Sequence, residues 1–317
     1  MSAPTRVLVT GASGLLGRAV YTALSASDGY DVVGWARSRL GKGLVSVDLA
    51  APLAAIREAL ERDRPDIIVH CAAERRPDQI ERSKGDAETI NVAATAALAE
   101  YAAEKGKGLI LMSTDYVFDG KAPPYQEDAE PNPLNEYGLQ KLHAETVAKR
   151  SFEGNGAKSG GRLAILRVPI LYGPVEYLGE GAVDAILAQL LSAKKSGAAV
   201  DIDAVQARYP THVDDVAAVV RLLVDLQRQK GFAGGTFHFS AGERMTKFDM
   251  AKTMVEALAL EGVRLAPVHV SGAPAAAAKR PDDAQLAMGR LAALGAVQPR
   301  RAFADRLTEC YGHHLEI

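Results

Sequence analysis

The chain of 317 residues has 48% apolar and 24% charged side chains and a formal net charge of -2, the balance of an ordinary globular protein. A pI near 6.4 offers no basic stripe for a nucleic-acid polyanion, and two cysteines, Cys71 and Cys310, cannot build a disulfide scaffold. No run is long and apolar enough for a membrane span, and the start MSAPTRVLVTG lacks a signal-peptide h-region, so a cytoplasmic setting without a membrane partner is expected.

Taken in order, the first half alternates short β-branched runs with helical patterns, the signature of an α/β, doubly wound parallel sheet. The runs at 6–10, 30–35, 44–47, 67–71, 108–113 and 163–168 predict strands, and those at 15–25, 53–63, 87–105 and 136–149 predict helices. Pro123, Pro124, Pro131 and Pro133 make the stretch after the fifth strand a long irregular loop, and Asn135 offers an N-cap for the helix that follows. The polar stretch 153–161 is expected to be an exposed excursion, and 275–278 is only a short alanine run. Beyond Val168 the alternation breaks up: pieces at 183–193, 213–229, 236–240 and 247–260 suggest a smaller, discontinuous lobe. The expected division is a dinucleotide-binding domain over 1–168, with 213–240 returning to it, and a substrate or partner lobe mainly in 169–317.

The first strand runs into Thr10-Gly11-Ala12-Ser13-Gly14-Leu15-Leu16-Gly17 and a helix opens at once behind it. Gly11 permits the tight turn, Gly14 lets backbone approach a pyrophosphate, and Gly17 lets helix pack on strand. The free N–H groups of the helix start would then face the anion. After the second strand stands Trp35-Ala36-Arg37-Ser38-Arg39, with no acid to take a ribose hydroxyl. Two guanidiniums there favour NADP(H) over NAD(H), the alternative being that they merely solvate a loop. Asp48, followed by Leu49, could bond an adenine amino group or cap the next helix.

Tyr137 and Lys141 lie four residues apart, hence on one helix face, and Ser113-Thr114-Asp115 ends the fifth strand at the carboxyl edge where such sheets bind ligands. In that arrangement Lys141 lowers the phenol pKa, Tyr137 acts as acid or base, and Thr114 donates a hydrogen bond to a substrate carbonyl. The alternative is an amphipathic surface tyrosine and a solvated lysine. Metal and nucleophile-elbow motifs are missing, and His313-His314 reads as an exposed tail.

These residues, with His70-Cys71-Ala72-Ala73-Glu74-Arg75-Arg76-Pro77-Asp78, Ser113-Thr114-Asp115-Tyr116-Val117-Phe118-Asp119-Gly120, Pro169-Ile170-Leu171-Tyr172-Gly173, Tyr209-Pro210-Thr211-His212-Val213, Met245-Thr246-Lys247 and Arg280-Pro281-Asp282-Asp283-Ala284-Gln285-Leu286, resemble the extended short-chain dehydrogenase/reductases of the dTDP-4-dehydrorhamnose reductase type. Within that group the Ala-Ala-Glu-Arg-Arg-Pro and Pro-Thr-His-Val runs are most similar to the regulatory β subunits of methionine adenosyltransferase. The resemblance implies that Thr114, Tyr137 and Lys141 match the catalytic residues, with Asp115 beside them. It also implies that Cys71, Ala72, Ala73 and Asn91 line the dinucleotide, that Tyr137 and Lys141 contact it as well, and that Arg167, Ile170 and Tyr172 lie near its nicotinamide end. Two departures stand out. Glu74-Arg75-Arg76 differs from the pattern of the enzymes that bind dTDP-sugars, and the chain given ends at Ile317, short of the tail by which the regulatory subunits enter their catalytic partner. Two functions follow as expectations: an NADPH-dependent reductase of a small polar or sugar-like carbonyl compound, and an NADP-loaded regulatory partner of the methionine adenosyltransferase catalytic subunit. Glu180, Gln206, Arg208 and Arg280 are polar candidates for lining the cleft between lobes.

Overall fold

Side chains that alternate along each early strand divide between two apolar layers, which is why the sheet is covered on both sides. The computed structural model describes residues 3–156, 160–229, 231–269, 278–295 and 301–315. Most of the alanine run at 275–278, the centre of the 153–161 excursion and the last two residues lie outside these. Strands β1 (Thr5–Thr10), β2 (Tyr30–Ala36), β3 (Leu44–Ser46), β4 (Ile67–His70), β5 (Gly108–Thr114) and β6 (Arg162–Val168) are joined by β10 (Gly235–His238). Their spatial order is β10-β6-β5-β4-β1-β2-β3, all parallel.

On one face Val7, Val9, Val69 and Ile110 pack beneath helix α1 (Leu15–Ser25) and the helix Val213–Gln227. On the other, Leu8, Ile68, Leu109 and Leu111 pack beneath α2 (Leu53–Asp63) and the helix Ala94–Glu104. The segment 213–240 therefore supplies both an edge strand and a cover helix to the large sheet.

The smaller lobe has its own core. Helices Asp184–Ser196, Lys247–Ala257 and Phe303–Tyr311 bury Leu187, Leu190, Met250, Met254, Phe303 and Leu307 beside the parallel pair formed by β8 (Ala199–Asp203) and β11 (Arg264–Val268). Leu15, at the start of α1, packs against this lobe core, whereas its neighbour Leu16 packs against the sheet core.

Two expected elements change form. The helix expected at 87–105 begins at Lys84, widens into a π-helical turn at Thr89–Ala93 and resumes as Ala94–Glu104. The wide turn places Asn91 among buried residues, where its side chain finds partners outside the helix. The helix expected to reach residue 260 stops at Ala257, because Ala259 adopts a left-handed φ of 48°. Among the described residues no helix is long and apolar enough to cross a membrane.

Candidate functional site

Strands β1, β4 and β5 end side by side, and their carboxyl ends carry the glycine turn, the 71–74 segment and Thr114. The glycines are required by close approach. Gly11 has φ +65° and a Cβ there would lie 2.8 Å from the Ala72 Cα, while a Cβ at Gly17 would lie 2.0 Å from the Gly11 carbonyl oxygen. Gly14 is the N-cap of α1 in an extended conformation, and no side chain caps the helix. Its first N–H groups thus remain available to an anion beside Ser13, Leu15 and Leu16. Thr10 Oγ1 meets His70 Nδ1 at 2.7 Å, and His70 Nε2 meets Thr95 Oγ1 at 3.0 Å. Burial and the Lys141 charge push this histidine down to about 3, so it stays neutral and acts as a spacer between strands. Its position facing a threonine on the neighbouring strand carried no sequence signal.

The 71–74 segment is held by Asn91. Its Oδ1 accepts the Glu74 N–H at 2.9 Å, and its Nδ2 donates to the Glu74 carbonyl at 3.0 Å and to Gln140 Oε1 at 3.0 Å. Asn91 was expected to line a dinucleotide; its amide is instead committed to the loop that walls the groove, so it shapes the path of Ala72 and Ala73. Burial pushes the half-buried Cys71 thiol up to about 12, which keeps it unreactive.

Helix Glu136–Ser151 carries Tyr137 and Lys141. Asn135 caps it as expected, accepting the Gly138 N–H at 2.9 Å, and its Nδ2 donates to the Lys279 carbonyl at 2.6 Å. A Cβ at Gly138 would lie 2.2 Å from the Tyr116 carbonyl oxygen, so this glycine sets how closely the helix meets the turn after β5. The Tyr137 ring meets Tyr116 edge to face with centroids 5.9 Å apart, and its phenol faces the Thr114 hydroxyl. Two expectations about this trio need correction. Burial, reinforced by Asp115, drives the Tyr137 pKa up, and the lowering pull comes from Thr114 and Arg75 rather than from Lys141. Lys141 is 3% exposed, and burial pushes its ammonium down to about 8 against the opposing pull of Glu145. Thr114, in turn, is no free donor: it gives its proton to Asp115 Oδ1 at 3.0 Å and accepts the Tyr116 N–H at 3.2 Å. Burial raises the Asp115 carboxyl to about 6 despite Arg208.

Arg167 is 2% exposed and forms a two-pronged ion pair with Glu145, which is 0% exposed, at 2.8 and 2.6 Å. Its guanidinium edges are taken by Glu145 and His238. Ser113 donates to the same carboxylate at 2.6 Å, tying the end of β5 to the helix of Tyr137 and Lys141. Glu145 lies four residues beyond Lys141, and that spacing was the signal that could have found it.

Other candidates fall in different places. Asp48 caps no helix: it accepts the Ala50 N–H in a local turn, while Pro52 precedes α2. Leu49 is buried under the sheet. Arg37 is exposed, and Arg39 is held by Glu176 and Glu180. Ile170 packs on the lobe core, and Tyr172 lies within it against His212 and Phe303. His314 bonds the Val175 carbonyl, and no metal-holding group occurs among the described residues.

At the lobe junction Arg208 is buried, donates to the Ala207 and Pro281 carbonyls and lies over the Tyr116 ring at 6.0 Å. Gln206 accepts from Arg208 and donates to the Arg280 carbonyl, and Arg280 pairs with Asp78 at 2.7 Å. Burial and the charges of Arg280 and Arg208 push the half-buried Lys247 ammonium down. Arg208 and Arg280 thus both meet Tyr116, which also packs on Tyr137.

A family model described as the RmlD substrate binding domain matches residues 5–315. Bos taurus "Methionine adenosyltransferase 2 subunit beta" is 43% identical over 92% of this chain and 82% of its own. A Streptomyces antibioticus protein named "Probable dTDP-4,6-dihydroxy-2-methyloxan-3-one 4-ketoreductase" is 30% identical over 83% of this chain and 80% of its own. Among solved structures, the Bacillus anthracis dTDP-4-dehydrorhamnose reductase in complex with NADP superposes with a TM-score of 0.78 at 25% identity, covering 99% of both chains.

Proposed function

Because the chain belongs to the RmlD substrate binding domain family, within the extended short-chain dehydrogenase/reductases, we propose that it is an NADP(H)-dependent oxidoreductase that reduces the carbonyl of a small polar or sugar-like compound. The observation that carries this reading is the placement of Tyr137 against Thr114 at the carboxyl end of β5, in the sheet whose β1 runs into the glycine turn and the uncapped start of α1. That donor set fits a dinucleotide: a backbone cradle where Cβ atoms have no room, free N–H groups for the pyrophosphate, and arginines for a 2′-phosphate. When bound, NADPH supplies the hydride.

The protein's own groups manage protons and position. Gly11, Ser13, Gly14, Leu15, Leu16 and Gly17 hold the pyrophosphate through the backbone, Arg37 and Arg39 take the 2′-phosphate, and Ala72 and Ala73 wall the groove. Tyr137 donates the proton to the carbonyl oxygen, and burial, which raises its pKa, makes it the weaker acid until substrate and dinucleotide surround it. Thr114 steadies the same oxygen by turning its hydroxyl away from Asp115. Lys141, a buried cation one helical turn from Tyr137, is kept for the dinucleotide, since Glu145 is already engaged by Arg167. Arg208, Arg280 and Lys247 favour a substrate that carries an anionic group.

A second reading rests on the 43% identity with a methionine adenosyltransferase subunit: the chain binds that enzyme's catalytic subunit and modulates it, with the dinucleotide as a structural ligand. One experiment separates the two. NADPH consumption is followed by absorbance with a panel of ketones, aldehydes and keto-sugar nucleotides, with Tyr137→Phe as the blank. Turnover lost in the variant supports the reductase. NADPH binding without turnover on any compound, together with co-purification of an untagged methionine adenosyltransferase at fixed stoichiometry, supports the regulatory subunit.

A further inference from the structure

The segment between β7 (Leu171–Tyr172) and helix Asp184–Ser196 lies across the phosphate-binding end of the sheet and holds two arginines there. Glu180 is 3% exposed. It accepts both Arg18 guanidinium nitrogens, at 2.7 and 2.8 Å, and Arg39 Nη1 at 2.9 Å, while the Glu176 N–H donates to it at 3.0 Å. Arg18 also donates to the carbonyls of Ser13, inside the glycine turn, and Pro174. Burial alone would raise the Glu180 carboxyl, but hydrogen bonds from Arg18, the Glu176 backbone and Arg39 hold it at about 2. Glu176 differs. Its side chain is 47% exposed, it meets Arg39 at 2.6 Å and Arg18 only at 3.6 Å, and the Tyr177 ring lies 5.6 Å from the Arg39 guanidinium.

Arg39 therefore has two acidic partners of unequal permanence. Glu180 is anchored by Arg18 and cannot leave without stranding a buried charge. Glu176 is wet and weakly held, as exposed pairs are. Both acids take Arg39 Nη1, so a second anion on that guanidinium, a ribose 2′-phosphate, would sit against the Glu176 charge and compete with it for the arginine.

We infer that Glu176 is a specificity-determining residue that competes with the cofactor's 2′-phosphate for Arg39, so that this strap from the smaller lobe sets how strongly the protein prefers NADP(H) to NAD(H). The inference rests on the dinucleotide reading above and adds to it a residue 137 positions away from Arg39 in sequence. NADP(H) enters by displacing Glu176 while Glu180 keeps the strap in place; NAD(H), having no 2′-phosphate, leaves the Glu176–Arg39 contact intact.

The test is a binding titration by calorimetry on the full chain with NADP+, NAD+, 2′,5′-ADP and 5′-ADP, comparing wild type, Glu176→Gln, Arg39→Ala and the double variant. Glu176→Gln is expected to tighten NADP+ and 2′,5′-ADP by roughly two- to fivefold, the scale of an exposed ion pair, and to leave NAD+ and 5′-ADP unchanged. In the Arg39→Ala background the same change is expected to have no effect on any ligand. Equal shifts for NADP+ and NAD+, no shift for either, or a Glu176→Gln gain that survives without Arg39 would each overturn the inference while leaving dinucleotide binding intact. A wild type that binds none of the four would overturn the cofactor reading and this inference with it.

Discussion

Replacing Arg167 by methionine isolates the buried pair that joins β6 to the helix of Tyr137 and Lys141. Glu145 and Arg167 are 0% and 2% exposed, and deleting one member of such a pair costs about 3–5 kcal/mol because the other is left charged in the interior. The carboxyl has an escape: it can bind a proton. In the wild type, burial pushes Glu145 up, but Arg167, Ser113 and Lys149 outweigh it and hold the group below its ordinary value of 4.5. A depressed carboxyl contributes stability above its unfolded pKa and loses it as pH falls through the folded one, so this contribution is constant from pH 5 to 8. In Arg167→Met the main pull is gone and burial dominates, so the folded state keeps a proton that the unfolded chain releases. Stability then falls as pH rises from about 4.3, by up to about 1.4 kcal/mol per unit, until the carboxylate ionises. Urea unfolding of both proteins between pH 5 and 8 is expected to show a gap that widens with pH, and Arg167→Met with Glu145→Leu is expected to recover most of the loss. The same gap at pH 5 and pH 8 would refute the argument, since desolvation of a single carboxylate could not then be its cause.

Gly17→Ala is expected to abolish dinucleotide binding in a titration and to lower the melting temperature, because its Cβ would meet the Gly11 carbonyl at 2.0 Å and backbone on both sides must move. Burial holds Lys141 at about 8, so its charge is present below that pH and lost above it. NADP+ affinity measured from about pH 6 to about pH 10 should fall through that region in the wild type and be flat there in Lys141→Met. Asn135→Ala removes both the cap on the Gly138 N–H and the bond to the Lys279 carbonyl; a loss of about 1–2 kcal/mol in urea unfolding is expected, and the serine variant should restore part of it.

Much of the sheet was legible because its signals are local. A strand buried on both faces reads as a short apolar run, and the spacing Gly11, Gly14, Gly17 places three approach points within a single turn. Tyr137 and Lys141 were legible for the same reason, as residues one helical turn apart. What stayed hidden were contacts with a distant partner. Nothing near Arg167 in sequence announces Glu145, 22 residues back. The widened turn that brings Asn91 to Glu74 leaves no mark in periodicity. The tuning of Tyr137 by Lys141 follows from spacing only if both groups are solvated alike, and burial, which no spacing encodes, reverses its sign. Arg39 reads from sequence as a candidate anion binder; the acids that hold it lie more than 130 residues further along the chain.

Leu15 belongs to two assemblies at once. Its backbone opens the helix at the phosphate-binding turn, while its side chain packs against the core of the smaller lobe, with the Gly181 backbone close beside it. The lobe cannot rotate away from the sheet without drawing that leucine out of apolar surroundings, and the turn cannot shift without disturbing the lobe. A ligand held at the lobe junction and one held at the turn would then be thermodynamically linked, and the linkage is reciprocal: whatever free energy one gains from the other's presence, the other gains in equal measure.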